Sequence, residues 1–198
     1  MSSIPRLELN TPGYGIMVNP DETKIVELSK NDTYPDKLIS RYLTPCYYDL
    51  AICRGTGFWK IDLILEPFEK MREKIFEDKL FEDHVEEPRV FAVLVNNKQV
   101  GWIELGFHNW NNRMRVWEFL VEEEFRRRGI GTLLMKHAAK IAKEKGARML
   151  VLETQTCNVP AISFYLKFGF ELIGFDATAY SNEDIEKKEV RLELGFRL

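Results

Sequence analysis

At 198 residues, 45% hydrophobic and 30% charged, the chain has the size and composition of one large globular domain that buries a real core. Its net charge of -3 gives no general electrostatic case for a nucleic-acid or membrane partner. No apolar run approaches the roughly 18 residues that span a bilayer. No basic segment followed by a hydrophobic one opens the sequence, so the expectation is a cytoplasmic protein.

Taken in order, residues 1–22 are rich in Pro, Gly and Asn and show no period. Residues 24–28 read as a first strand, and 32–42 as a short helix interrupted near Pro35. Two β-rich runs, 47–53 and 58–65, flank Arg54-Gly55-Thr56-Gly57 and predict a hairpin. Residues 66–81 read as a helix, with Pro67 tolerated in its first turn. A second hairpin is predicted for 91–95 and 99–107 around Asn96-Asn97-Lys98. After a polar turn at 108–113, residues 116–121 form an apolar run that reads as a buried central strand.

Beyond that strand come charged residues, then Gly129-Ile130-Gly131. A helix beginning near Gly131 and Thr132 runs through Lys145, is closed by Gly146, and is followed by a strand at 149–152. Strand, glycine loop, helix and strand make a right-handed crossover with its two strands side by side. The two glycines allow positive φ and a close backbone approach. The helix start offers unpaired amides and the positive end of its dipole, and Arg126, Arg127 and Arg128 add cationic side chains. A polyphosphate held by backbone amides fits this arrangement. A solvated charged loop capped by glycines is the plain alternative. A dinucleotide fingerprint fails because Leu134 stands where its third glycine belongs and seven residues separate Val121 from Gly129. The pattern of a Walker loop is absent.

Downstream, Asn158 is a good N-cap, Pro160 suits a first turn, and Gly169 is a C-cap about ten residues on. Ala161, Phe164, Tyr165 and Phe168 recur at helical spacing as an inward stripe. By this pattern alone Tyr165 is equally a core aromatic. Two closing strands follow at 170–175 and 190–197, with a polar loop at 181–188.

Two motifs together resemble the GCN5-related N-acetyltransferase (GNAT) superfamily. Arg126-Arg127-Arg128-Gly129-Ile130-Gly131 is similar to its [QR]-x-x-G-x-[GA] loop. The stretch Asn158 to Phe170 is similar to its N-x-x-A-x-x-F-Y-x-K-x-G-F block. The resemblance implies an α+β fold: a mixed, mostly antiparallel twisted sheet flanked by helices, with one βαβ crossover forming the acetyl-CoA site. It implies a single domain over 1–198, acceptor-shaping in 1–90 and acetyl-CoA-binding in 91–198. Acetyl-CoA is then the co-substrate, its pyrophosphate held by Arg126, Arg127, Arg128, Gly129, Ile130, Gly131 and Thr132. Asn158 matches the position that contacts the pantetheine or phosphate arm. Tyr165 matches the general acid that protonates the leaving thiolate. Backbone amides around Phe119, Leu120 and Val121 are the expected oxyanion donors. Glu118 interrupts the apolar run beside the expected thioester and is the candidate base, with Glu153 and Glu104 weaker candidates.

A narrower likeness lies in Leu152-Glu153-Thr154-Gln155, Asn158, Ala161, Asp176, Tyr180-Ser181-Asn182 and the turn Asn109-Trp110-Asn111, which resemble the streptothricin acetyltransferases. Two adjacent acids are expected on the central strand there; this chain has Trp117-Glu118. The implied acceptor is a small-molecule primary amine, streptothricin or an aminoglycoside-type relative. A peptide N-acetyltransferase and a non-catalytic CoA-binding module stay open, as does a homodimer. Cys46, Cys53 and Cys157 cannot all pair and, like His84, His108 and His137, show no ligand spacing. No metal is expected.

Overall fold

The computed structural model describes residues 23–198, so the reading of 1–22 lies outside the described residues. The elements run β1 (Thr23–Leu28), β2 (Leu38–Gly55), β3 (Phe58–Asp78), β4 (Arg89–Val95), β5 (Lys98–His108), β6 (Arg113–Val121), α1 (Ile130–Glu144), β7 (Met149–Gln155), α2 (Val159–Phe168), β8 (Glu171–Asp176), α3 (Asp184–Lys187) and β9 (Arg191–Arg197). Seven strands form one sheet in the order β1-β4-β5-β6-β7-β9-β8, while β2 and β3 make a separate two-stranded ribbon. Among the described strands of the sheet only β6 and β7 pair in parallel, as the crossover through α1 requires. The α+β class is therefore borne out.

Each face of the sheet carries its own cluster. On one, Leu134, Met135, Ala138 and Ile141 of α1 pack on Ile103, Leu105, Met114, Val116, Leu150 and Leu152. On the other, Trp102 and Leu120 meet Leu28, Leu38 and Leu80 from the first 90 residues. β4 and β5 are covered on both faces, which is why they read as unbroken apolar runs. Their turn is made by Asn96 and Asn97, both at positive φ, the conformation a two-residue hairpin needs.

Two expectations fail before β4. Residues 66–81 are not a helix: through Asp78 they belong to β3, paired with β2 from Gly55↔Phe58 to Leu38↔Asp78. The register jumps between Thr44↔Arg72 and Cys46↔Pro67, so Pro45 and Pro67 both fall at an irregularity, where a missing N–H costs no ladder bond. Residues 32–42 are not a helix either. Asp32 accepts the Ser29 amide at 2.7 Å in a tight turn, and β2 begins at Leu38. In both stretches cross-strand partners such as Arg41–Glu73 override weak helical propensity. A smaller difference is α3, a single turn within the expected 181–188 loop. It is anchored by Asp184, which accepts from Tyr180 N at 2.9 Å and Ser181 Oγ at 2.7 Å.

Candidate active site

The site begins where two strands part. β6 and β7 pair only at Arg113↔Met149, Met114↔Leu150 and Arg115↔Val151. Beyond these, β7 continues on β9 and residues 116–121 of β6 keep only β5. A bulge explains the departure: Glu104 faces Glu118 and Leu105 faces Val116, leaving Trp117 as the extra residue of β6. Such an insertion bends its strand and strengthens the local twist. The Trp117 indole occupies the space a side chain at Gly106 would need, its Nε1 lying 2.6 Å from the ideal Cβ position. Alternate residues of an antiparallel strand bond to one neighbour. The remaining amides along 116–121, including members of the Phe119-Leu120-Val121 run, are therefore directed to the gap.

α2 closes the far side of that gap. Its N-cap Asn158 accepts the Ala161 amide at 3.3 Å, a cap contributing about 1 kcal/mol. Gly169 ends the helix at φ 112. Between these stops, Phe164 stacks on Phe119 at 5.6 Å and Tyr165 lies 6.2 Å from the same ring. The aromatic stripe read from the sequence thus lines the wall between β6 and α2.

At the end of β6 lies the glycine loop. Arg127 at φ 61 and Gly129 at φ 89 turn the chain into α1, whose first residue is Ile130. The first helical bond runs from Leu133 N to Gly129 O, so the helix supplies no carbonyl for the amides of Ile130, Gly131 and Thr132. Among the described residues no side-chain cap is made at Gly129. A Cβ at Gly129 would meet nothing within 4 Å, which leaves open space over the loop. Three free amides at the positive end of a 15-residue helix suit a phosphate group. Arg126 differs from expectation in its side chain, which donates to Val121 O at 3.0 Å and Arg41 O at 2.7 Å. It fastens the loop to β6 and to the β2–β3 ribbon. Arg128 lies over the Phe125 ring at 5.3 Å.

The two candidate reacting groups influence each other electrostatically. Tyr165 is buried, and burial followed by the charge of Glu118 holds its phenol above the ordinary tyrosine range. It stays protonated throughout neutral pH. Glu118 is pushed up to about 9 by burial first, then by Asp78, Glu104, Glu82 and Glu153. Glu153, one of the weaker base candidates, is instead paired with Arg115 and lies 3.5 Å from Arg191. Glu193 completes that cluster at 3.0 Å from Arg191. Glu104 is buried, and burial raises its carboxyl too. Asp78 and Glu82 were missed in the sequence: with 66–81 read as a helix, nothing placed Asp78 beside the central strand.

Among the described residues no cluster of His, Cys, Asp or Glu can hold a metal, and Cys46, Cys53 and Cys157 are free thiols. No described helix is long and apolar enough to cross a membrane.

A parallel pair of strands parts beside a helix start whose first amides take no carbonyl from the helix. Comparison with known proteins names the class. The acetyltransferase (GNAT) family pattern matches residues 57–170, and the chain belongs to that family. It is 37% identical over 89 residues to streptothricin acetyltransferase of Streptomyces lavendulae, covering 45% of this chain and 47% of that enzyme. Against streptothricin acetyltransferase A of Bacillus subtilis the identity is 34% over 120 residues, 59% of this chain and 69% of the relative. The chain thus spans about half the length of the first relative and about two thirds of the second. A Bacillus anthracis protein assigned as a streptothricin acetyltransferase, solved with acetyl coenzyme A, superposes with TM-score 0.70 at 26% identity. That match covers 91% of this chain and 99% of the other.

Proposed function

We propose that the protein transfers the acetyl group of acetyl-CoA directly to a primary amine of a small molecule, with streptothricin or a related aminoglycoside-type antibiotic as acceptor. The observation that carries this reading is the parting of β6 from β7 after Arg115 and Val151, with free amides at one end and Glu118 and Tyr165 along it. The amides of Gly129, Ile130, Gly131 and Thr132 receive the pyrophosphate. Arg126 keeps that loop in shape, and Arg127 and Arg128 supply positive charge around it. Asn158, besides capping α2, lies on the path of the pantetheine arm. The thioester then sits in the gap, its carbonyl oxygen facing the amides around Phe119, Leu120 and Val121.

The chemistry is a direct displacement. The amine nitrogen attacks the carbonyl carbon, the oxyanion forms against the β6 amides, and its collapse breaks the C–S bond. Glu118 takes one proton from the arriving ammonium, Tyr165 gives its phenolic proton to sulfur, and the second proton shed by the acylated nitrogen restores the phenol. A phenol raised by burial remains a donor at every working pH but a weak acid, so it serves only while hydrogen-bonded to the thiolate. Glu118 carries a proton at neutral pH in the free chain and becomes the base once that proton is lost.

The test is CoA release from acetyl-CoA with streptothricin, aminoglycosides, polyamines and peptide N-termini offered in parallel. Turnover with streptothricin or an aminoglycoside is expected. Turnover confined to peptides would replace this reading with protein N-acetylation, and CoA binding without release would replace it with a binding module.

A further inference from the structure

Glu104 on β5 and Glu118 on β6 stand directly opposite each other. Both point to the sheet face that carries Trp102 and Leu120, since they share the parity of those residues along their strands. Opposed side chains of this kind lie about 4.5–5.5 Å apart at Cβ, where like charges destabilise one another. Glu104 is fully buried, at 0% exposure. One of its carboxyl oxygens accepts the Phe81 amide at 2.9 Å, and the other is buried without a partner among the described residues. Phe81 delivers that amide from φ 61, a conformation aromatic residues seldom adopt. The segment after β3 is therefore held in an uncommon shape that places an N–H on Glu104.

Other groups around the pair do not cancel it. Asp78 at the end of β3, Glu82 in the following segment and Glu153 on β7 act on Glu118, while Tyr165 approaches it from α2. His84, Glu82 and Lys30 act on Glu104. Negative groups outnumber positive ones among these, and Arg115 and Arg191 are paired with Glu153 and Glu193.

We propose that Glu104 is a positioning residue for the base: its buried carboxylate, fixed by the Phe81 amide and facing Glu118, makes Glu118 hold a proton tightly enough to take one from an alkylammonium acceptor. This rests on the acetyl-transfer reading above. The amine arrives as R–NH3⁺. Glu118 in its ionised form takes one proton, leaving R–NH2 with a free lone pair, and the negative charge of Glu104 stabilises the protonated Glu118 that results. No electron changes hands, and the proton passes from Glu118 to solvent after the product leaves. An ordinary carboxylate is too weak a base for this transfer, because it lies several pH units below an amine near 10.4. A base raised by its neighbours comes close to that match, where proton transfer is efficient.

The experiment is the pH profile of kcat/KM with acetyl-CoA saturating, comparing wild type with Glu104→Gln. Glutamine keeps an oxygen for the Phe81 amide and removes only the charge. The acid limb should move to lower pH by about one unit or more, with activity kept at neutral pH and a lower plateau in alkali. A role in packing alone would lower the whole profile without moving the limb, and that result overturns the proposal. If Glu104→Gln fails to fold, Glu104→Asp draws the charge back and should move the limb the same way by less. A 13C titration of the Glu118 carboxyl, identified by its loss in Glu118→Gln, needs no acceptor. A Glu118 titration unchanged by Glu104→Gln sinks the pairing. Absence of any acetylated amine, with that titration shifted, instead removes the acetyl-transfer reading.

Discussion

Tyr165 on α2 and Glu118 on β6 share one electrostatic environment across the parted strands: burial, and then the Glu118 carboxyl, hold the Tyr165 phenol above its ordinary range. The candidate proton donor and the candidate base thus feel each other across the two elements. β7 does not pair with β6 at Glu118, since their pairing ends at Arg115↔Val151.

Glu118 imposes a pH dependence on folding. Its ordinary value is 4.5, and in the folded chain it is pushed up to about 9. The native state therefore binds that proton more tightly than the unfolded state. The resulting stabilisation is complete below the unfolded value and is lost as pH climbs through the folded one. Glu118→Gln removes this dependence. Thermal unfolding should show wild type losing stability relative to Glu118→Gln as pH rises from about 5 to about 9. Parallel curves would mean that Glu118 titrates as an ordinary carboxylate.

The glycine loop carries a sharper test. Gly129 stands at φ 89, so Gly129→Val forces a β-branched residue into a conformation costing about 1–3 kcal/mol. At Gly131 the obstacle is packing: a Cβ would lie 3.3 Å from Phe119 and 3.5 Å from Phe164. Both variants should fold yet lose acetyl-CoA affinity in calorimetry. Folded variants binding CoA normally would remove the loop from the site.

Glu153 separates structural from catalytic carboxylates. It is held by Arg115 and Arg191, so Glu153→Gln should lower the unfolding midpoint, by a stability loss of about 1 kcal/mol. The limbs of the kcat profile should stay in place. A lost limb in Glu153→Gln with none in Glu118→Gln would exchange their roles.

The crossover and its helices were legible because their signals are local. Gly129, Asn158 and Gly169 each act within a few residues of themselves; Asn158 and Gly169 stand at the predicted boundaries of α2, while α1 starts at Ile130 behind Gly129, just ahead of the start expected near Gly131 and Thr132. Residues 66–78 were misread because Pro67 and the charged run after it satisfy a helix locally. Their partners, from Tyr47 back to Leu38, lie far off in sequence. The parting of β6 from β7 was equally hidden. It depends on Trp117 being the extra residue against Glu104 and Leu105, a register that no single strand encodes. Glu118 and Tyr165 could be named from motif positions, but the acids facing Glu118 required the fold.

The most direct test of the account is the turnover of Tyr165→Phe with acetyl-CoA and the amine both saturating. Phenylalanine preserves the ring contacts with Phe119 and Phe164 and removes only the proton donor. Acetyl-CoA affinity and the unfolding midpoint should change little, and kcat should fall by roughly 10²-fold, the lower end of general acid contributions. A loss in kcat marks an interaction made in the transition state. Wild-type turnover in Tyr165→Phe would contradict the account and return Tyr165 to the aromatic core.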